Sequence, residues 1–282
     1  MSPELSQKLA AAVDSMPAFP KSVQKILVLT QDINCTPKDL VQVVDKDPVI
    51  TVKILKVVNS AYYSLPKQVT SINHAVVFLG FNTIKNLALA IAAIGMLPKT
   101  NAAGFDIQQY LLHSLATAGI AKKLASNLDN VDPMDAFIAG LLHDFGKVVL
   151  AQFMPEEFRA ALDISQREGS SLHLTLQQSI GVGHAVVGAM LAEKWRFAPH
   201  LIEAIRHQQS RELKDTGLIA SVFAANQISK KLQYGFGGNA MVEELPASVA
   251  QRLGGNLDHV IAGLGDIDAL FEEAQVFARL EG

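Results

Sequence analysis

A histidine and an aspartate stand side by side as His143-Asp144, inside the apolar stretch from Ala136 to Ala151. Burying an imidazole and a carboxylate is costly unless they bond each other, a backbone group or a metal ion. A neutral imidazole and an ionised carboxylate are also good ligands for a divalent cation. The pair therefore indicates a polar site inside the fold, which is either a metal centre or a set of hydrogen-bonded core residues.

Other polar side chains occur singly on further apolar segments, each among apolar neighbours at helical spacing: His113, His184, His207 and Asn226. Helix bundles build internal sites in this way, from side chains on facing helices. Any one of these histidines could instead be a core residue bonded to a carbonyl group. Together with the His-Asp pair, the set favours one shared site.

The elements that must position these residues are helices, because helical periodicity dominates and β-alternation is nearly absent. Asp47-Pro48 and Asp132-Pro133 are helix-start signals, since the aspartate can cap and the proline suits the first turn. The segment 233–239 is rich in glycine and predicts a loop. Helices are predicted at 4–14, 20–31, 37–46, 48–58, 71–78, 81–97, 106–128, 133–153, 155–167, 171–179, 183–195, 199–208, 214–233, 245–253, 257–263 and 266–280.

Motifs in the N-terminal half and the order of the histidines in the C-terminal half together carry a family resemblance. The N-terminal half contains Met16-Pro-Ala-Phe-Pro20, then a block from Leu40 to Tyr63 with Asp-Lys-Asp-Pro and Asn-Ser-Ala-Tyr-Tyr, then Ile72 to Gly80. With the order of the histidines, these make the chain resemble an HDOD domain over about residues 10–232. HDOD domains are regulatory relatives of the HD metal-dependent phosphohydrolases. The resemblance implies an all-α, multi-helical HD-like bundle with an N-terminal helical lobe.

The resemblance also implies a division of the chain and a ligand set. We expect an N-terminal lobe at 1–100, an HD-like core at 101–232 and a helical tail at 233–282. The positions that match the family's metal ligands are His113, His143, Asp144, His184, His207 and Asn226.

Asn226 stands where catalytic relatives carry an aspartate, and its amide can offer a metal only a carbonyl oxygen. Asp144 is then the only anionic ligand, so the site suits one transition metal (zinc, iron or nickel) better than magnesium, or holds none. By the resemblance, Asp144 and Lys147 would be the catalytic residues, with Lys147 orienting a phosphate group. Lys147 could equally be a solvated lysine near a helix end.

Two functions follow from the resemblance. The first is a bacterial signalling module that binds a protein partner or a small phosphorylated ligand and retains a degenerate metal site. The second is a metal-dependent phosphohydrolase acting on a nucleotide, a cyclic dinucleotide or another phosphoester. Asn226, together with Gln208 where relatives have a second histidine, favours the first. Asn59, Ser60 and Tyr62 could line a ligand pocket or could only end a helix.

Composition restricts the partners. The 282 residues carry a net charge of −3, which argues against a sequence-independent grip on nucleic acid. The single cysteine and the lack of a signal-peptide pattern predict a cytoplasmic protein. The most apolar run, 87–97, is too short to cross a bilayer, so no membrane association is expected. Apolar residues of the tail recur at three- and four-residue steps and could cover the body or form a homodimer: Ile267, Leu270, Phe271, Ala274, Phe277 and Leu280.

Overall fold

The computed structural model describes residues 2–29, 32, 34–60, 63, 65–209 and 216–278. Within these ranges the regular structure is helical and no strand occurs, as the sequence predicts. The helices are α1 Pro3–Ser15, α2 Lys21–Leu29, α3 Pro37–Val44, α4 Pro48–Val58, α5 Ile72–Leu79, α6 Phe81–Ile94, α7 Ile107–Ala125, α8 Pro133–Leu142, α9 Phe145–Phe153, α10 Pro155–Glu168, α11 Leu172–Ile180, α12 His184–Lys194, α13 Pro199–His207, α14 Gly217–Lys231, α15 Ala247–Leu253, α16 Leu257–Gly263 and α17 Asp268–Ala278.

Both predicted aspartate caps form. The Asp132 carboxylate accepts a hydrogen bond from the backbone N–H of Met134 at 2.7 Å, and Asp47 accepts one from Ile50 at 3.1 Å. Each cap satisfies an N–H group that the first helical turn leaves without an intrahelical partner. The two caps therefore fix where α8 and α4 begin.

The predicted single helix over 133–153 is wrong. The structure breaks it at His143 and Asp144 into α8 and α9, with Asp144 at φ −102° and ψ 6°. In the described part of the chain, 133–153 is the one segment long and apolar enough to cross a membrane, and 89% of its most apolar 18-residue stretch is buried inside the protein. Such burial is expected of a core segment.

The long helix α7 forms the centre of the C-terminal part and packs against α8, α14 and α17. Helix α9 packs against α12 on the other side of the break. The tail helix α17 buries Phe271 and Ala274, each 5% exposed, and the Tyr234 ring stacks on Phe271. The tail thus packs on its own body through these residues. The side chain of Phe277 and all of Leu280 lie outside the described residues.

The N-terminal lobe, α1 to α6, packs directly on the rest of the chain. Helix α6 packs on α8 and α1 packs on α12. One cluster of buried apolar side chains extends from Leu9 in α1 to Ala274 in α17. The lobe and the HD-like core therefore share buried surface, and the segment that holds His143 and Asp144 lies within it.

Candidate functional site

His143 lies at the end of α8, where the helix break orients its ring. Its Nδ1 is 2.6 Å from the carbonyl oxygen of Gly140. A carbonyl oxygen can only accept, so Nδ1 carries a proton in this contact. This arrangement, in which one ring nitrogen donates to the backbone, is typical of metal-binding histidines.

The carboxylate of Asp144 is the centre of the site. Its Oδ2 lies 3.2 Å from Nε2 of His143 and 3.7 Å from Nε2 of His113, and its Oδ1 lies 2.9 Å from Nε2 of His184. The three imidazoles and the carboxylate are each at most 1% exposed. Side chains from α7, α12 and the α8–α9 break therefore converge, as the sequence predicts. We call Asp144, His113, His143 and His184 the His-Asp centre.

Lys147 supplies the opposite charge within this buried group. Its Nζ lies 2.5 Å from Oδ2 of Asp144 and donates a second hydrogen bond to the carbonyl of Gly237 at 2.6 Å. The side chain is 2% exposed, so the reading of Lys147 as a solvated lysine is wrong. A buried carboxylate needs such a partner, because an unpaired charge is very unfavourable in the interior.

Burial and charge together determine the protonation states. Burial alone would raise the pKa of Asp144, but His143, Lys147 and His184 hold it well below its usual range. Burial, followed by the nearby Lys147, lowers the pKa of His184 to about 3. Burial, followed by His143, lowers the pKa of His113 well below its ordinary value. At neutral pH, His113 and His184 are thus neutral imidazoles facing an ionised carboxylate.

Each outlying histidine has its own positioning device. Nδ1 of His113 lies 3.2 Å from the hydroxyl oxygen of Ser229, which brings α14 to the site. His184 reaches the centre because Gly146 lets α12 approach α9 closely. A Cβ at Gly146 would lie 2.0 Å from the carbonyl oxygen of His184, which no real structure allows. Glycine is therefore a steric requirement at position 146.

The predicted loop 233–239 covers the His-Asp centre. The backbone N–H of Phe236 donates to the carbonyl of Gln109 at 2.9 Å, which ties the loop to α7. A Cβ at Gly237 would lie 2.6 Å from the His113 ring and 3.1 Å from Oδ2 of Asp144. Only a glycine can bring its backbone so close to the centre, and the loop thereby excludes solvent from it.

The residues present fit a single metal ion. One ligand atom from each of His113, His143 and Asp144 lies within 4.8 Å of the others. Nε2 of His113 and Nε2 of His143 are buried without a hydrogen-bond partner, and they face Oδ2 of Asp144 at 3.7 and 3.2 Å. Buried imidazole nitrogens that face a carboxylate oxygen are the kind of donor set a zinc-like ion would use.

Two of the residues predicted as ligands, His207 and Asn226, are not part of the group of His113, His143 and Asp144. His207 is partly exposed and its Nε2 pairs with Glu203 at 3.2 Å, so it does not join the centre. Its neighbour Gln208 is fully buried instead, and its Nε2 donates to the backbone carbonyl of His143. Asn226 is buried on α14 with its Oδ1 lacking a hydrogen-bond partner. The role of Asn226 as a metal ligand stays a prediction.

Of the residues suggested as a pocket in the N-terminal lobe, Asn59 and Ser60 lie within the described residues. The side-chain amide of Asn59 makes two hydrogen bonds with the backbone of Val69. It donates to the Val69 carbonyl at 2.8 Å and accepts from the Val69 N–H at 2.7 Å. This closes the turn after α4, which is a structural role. The hydroxyl oxygen of Ser60 is buried without a hydrogen-bond partner, and Tyr62 lies outside the described residues.

Sequence reasoning missed two residues near the centre. His173 lies half-buried with its ring 5.2 Å from the ring of His184, and burial lowers its pKa. Lys230 on α14 has its pKa lowered to about 8, by burial first and then by Lys147. No local pattern marks either residue. The glycines within 235–238 are a sequence signal of a different kind. They indicate that the backbone of this loop comes close to another part of the chain, because repeated glycine often marks such an approach.

Comparisons with known proteins bear on the family and on the fold. The family model described as HDOD domain matches residues 16–211. A crystal structure from Shewanella amazonensis, provisionally named a phosphohydrolase, is 25% identical, with a TM-score of 0.77 and coverage of 98% of each chain. An HDOD domain protein of unknown function from Geobacter sulfurreducens shares the fold, with a TM-score of 0.81, 24% identity and coverage of 98% and 97%.

Curated relatives are longer proteins. An uncharacterized Treponema pallidum protein is 27% identical over 252 residues, which are 87% of this chain and 47% of that protein. Ribonuclease Y of Mycoplasma mycoides is 29% identical over 171 residues, which are 58% of this chain and 33% of that protein. The chain thus spans about half or less of the curated relatives that it matches.

Proposed function

The chain belongs to the HDOD family, and from that premise we propose that it is a regulatory module that acts by binding a signalling protein or a small phosphorylated ligand. In this proposal the His-Asp centre is a closed, degenerate metal site. One observation carries the proposal: the only carboxylate of the centre is already neutralised by Lys147 at 2.5 Å and covered by Gly237. A substrate could reach Asp144 only after both had moved.

Charge supports the same conclusion. A metal ion approaching Oδ2 of Asp144 would meet the Lys147 ammonium at the same oxygen, and the two cations would repel each other. The family's catalytic members have a carboxylate at the position of Asn226. The Asn226 side chain is a neutral amide, so it offers no second negative charge. A two-metal site would need more anionic ligands than His113, His143, His184 and Asp144 provide.

A second candidate is a metal-dependent phosphohydrolase. Its specific support is the group of His113, His143 and Asp144 with ligand atoms within 4.8 Å of one another. The names of two relatives, the provisional phosphohydrolase and Ribonuclease Y, point to phosphoester hydrolysis. A divalent ion, when bound, would supply an activated water. Lys147 would then have to leave Asp144 to hold phosphate, and Lys230 could assist it.

Metal content and turnover distinguish the regulatory module from the phosphohydrolase. Purified protein is analysed for transition metals and assayed on a generic phosphodiester with added manganese, iron or zinc, beside Asp144→Ala and His143→Ala. We expect no turnover above that of Asp144→Ala. Stoichiometric metal together with hydrolysis that both variants lose would refute the proposal in favour of the enzyme. Circular dichroism shows whether the variants are folded.

Two further variants make the assay sharper. His207→Ala is the matched control, because His207 lies outside the centre and should leave metal content unchanged. Asn226→Asp adds the missing carboxylate and should tighten metal binding. If zinc affinity were the same in Asn226→Asp and in the unaltered protein, Asn226 would not face the metal position.

Homodimer formation, cytoplasmic localisation and the absence of nucleic-acid and membrane partners remain predictions from the sequence.

A further inference from the structure

A groove of about 680 Å³ lies between the N-terminal lobe and the HD-like core. One wall is α2 with Val43 of α3, and the other is the end of α12 with Trp195 and Arg196. No residue of the His-Asp centre lines it. Its volume falls within the range of roughly 300–1,000 Å³ that is usual for ligand sites. The groove is thus large enough to bind a partner.

The groove is positively charged although the chain is not. Four cationic side chains line it, namely Lys21, Lys25, Lys194 and Arg196, and none of the described residues that line it carries a carboxylate. The whole chain has a net charge of −3. Lys21 and Lys25 are exposed on the same face of α2, one turn apart. This local excess of positive charge selects for an acidic occupant and would speed its arrival.

The surface between these charges is apolar. Val28 continues the Lys21–Lys25 face of α2 and is 58% exposed, and the half-buried Leu29 and Val43 extend the apolar surface. Trp195 and Phe19, stacked at 4.5 Å, are buried beneath this surface as its floor. The groove therefore offers an apolar strip with lysines along one edge, which matches an amphipathic helix.

Polar groups that could read a nucleotide base are already bonded. Nε2 of Gln24 donates to the carbonyl of Phe19 at 2.7 Å, and Nε1 of Trp195 donates to that of Pro17 at 3.1 Å. Nζ of Lys194 donates to three carbonyls at the end of α1, at 2.7 to 2.9 Å. With these donors engaged, the groove has little means to recognise a base by hydrogen bonds. A peptide is the better occupant.

We propose that this groove binds an acidic amphipathic helix of a partner protein. Apolar side chains of the helix would contact Val28, Leu29 and Val43, and its carboxylates would pair with Lys21 and Lys25. Because the walls belong to the N-terminal lobe and to the core, a bound helix would contact both. The inference rests on the proposed binding role and names the partner chemistry and the surface.

The test uses a synthetic helical peptide with leucines at three- and four-residue spacing and glutamates on the remaining positions. Its binding to the full chain is followed by anisotropy of a labelled peptide and by fluorescence of Trp195, the only tryptophan. We expect the double variant Lys21→Glu/Lys25→Glu to weaken binding by about tenfold or more. The control Lys38→Glu/Lys56→Glu, which reverses two exposed lysines outside the groove, should bind as the unaltered chain does.

A second pair of variants tests the apolar strip. Val28→Asp should abolish binding, whereas Val77→Asp, at a valine that is 73% exposed and outside the groove, should not. The proposal is overturned if the peptide fails to bind, or if a counterpart with lysine in place of glutamate binds equally well. It is also overturned if ATP, rather than the peptide, changes Trp195 fluorescence in a way that depends on Lys21 and Lys25.

The outcome is separable from that of the proposed function. Phosphodiester hydrolysis that Asp144→Ala abolishes would refute the regulatory proposal even if the peptide bound through Lys21 and Lys25. Failure of the peptide to bind, with no hydrolysis, would refute only the groove. The groove variants leave the His-Asp centre unaltered, so their metal content should match that of the unaltered chain.

Discussion

At the scale of single residues, the ion pair of Asp144 and Lys147 is the feature with the largest energetic consequence. Both side chains are almost fully buried and only 2.5 Å separate Nζ from Oδ2. The net value of such a pair is small, since desolvation offsets the attraction. Removal of one partner is different, because the remaining charge stays buried without compensation.

We therefore expect Lys147→Met to lower the free energy of unfolding by about 3–5 kcal/mol, measured by urea denaturation of chelator-treated protein. Adding Asp144→Asn should recover much of that loss, since the orphaned charge is then removed. Lys56→Met, at an exposed lysine, should change stability by less than about 0.5 kcal/mol. Equal losses in the single and double variants would contradict the ion pair.

The buried histidines predict how stability depends on pH in metal-free protein. The pKa of His184 is about 3 in the folded chain, against an ordinary value of 6.5, and that of His113 is lowered too. Below pH 6.5 the unfolded chain binds protons that the folded chain does not, so stability falls as pH falls. Each histidine contributes up to about 1.4 kcal/mol per pH unit.

The expected measurement is a free energy of unfolding that declines from about pH 6.5 towards pH 3, the window between the ordinary pKa and that of folded His184. The depressed pKa of Asp144 adds a further loss only below its ordinary value of 3.8. His184→Asn should flatten the decline, whereas His200→Asn, at an exposed histidine, should not. A stability that is constant between pH 6.5 and pH 4 would contradict neutral buried histidines.

At the scale of elements, the crossing of α9 and α12 determines whether His184 reaches Asp144. Gly146 on α9 faces the backbone of α12 at His184 and Gly188. Backbones in direct contact leave no room for even one methyl group, because the interior is close-packed. The glycine after His143-Asp144-Phe145 is therefore part of the site's construction.

Gly146→Ala should lower the free energy of unfolding by about 3 kcal/mol or more, because the added Cβ would force α9 and α12 apart. Thermal and urea unfolding measure this. Gly263→Ala, where an added Cβ meets nothing within 4 Å, is the matched control and should be neutral or slightly stabilising. A similar effect at both positions would mean that the two helices are not in backbone contact.

At the scale of the whole molecule, one apolar cluster joins the N-terminal lobe to the HD-like core. Lys194 and Trp195 at the end of α12 reinforce the junction, by bonding the end of α1 and by stacking on Phe19. The predicted boundary near residue 100 thus separates parts that share buried surface. Shared surface of this kind makes unfolding cooperative.

We expect the lobe and the core to unfold in a single transition. A dye on Cys35, the only cysteine, reports on the lobe, and far-UV circular dichroism reports on the helices of the whole chain. The two urea curves should share one midpoint. An earlier midpoint for the Cys35 dye would mean that residues 1–100 unfold separately. Far-UV circular dichroism of labelled and unlabelled protein checks that the dye does not perturb the fold.

Local sequence patterns were enough for the helical class and for the caps at Asp47 and Asp132, which depend on residues within one helix. The family and the convergence of His113, His143, Asp144 and His184 were predicted from the resemblance to HDOD domains, which the N-terminal motifs and the order of the histidines carry. The apolar pattern did not predict the helix break at Asp144, because the apolar run continues on both sides of it. Periodicity does not reveal a single turn at which the chain changes direction.

Only the tertiary structure decided what surrounds Asp144. Lys147 bonds the carbonyl of Gly237, 90 residues further along the chain, and His173 approaches His184 from another helix. The same holds for His207, which faces Glu203 while its neighbour Gln208 turns inward. Burial and charge pairing depend on how helices pack against one another, and the spacing of residues along a single helix carries no information about a neighbour that distant in sequence.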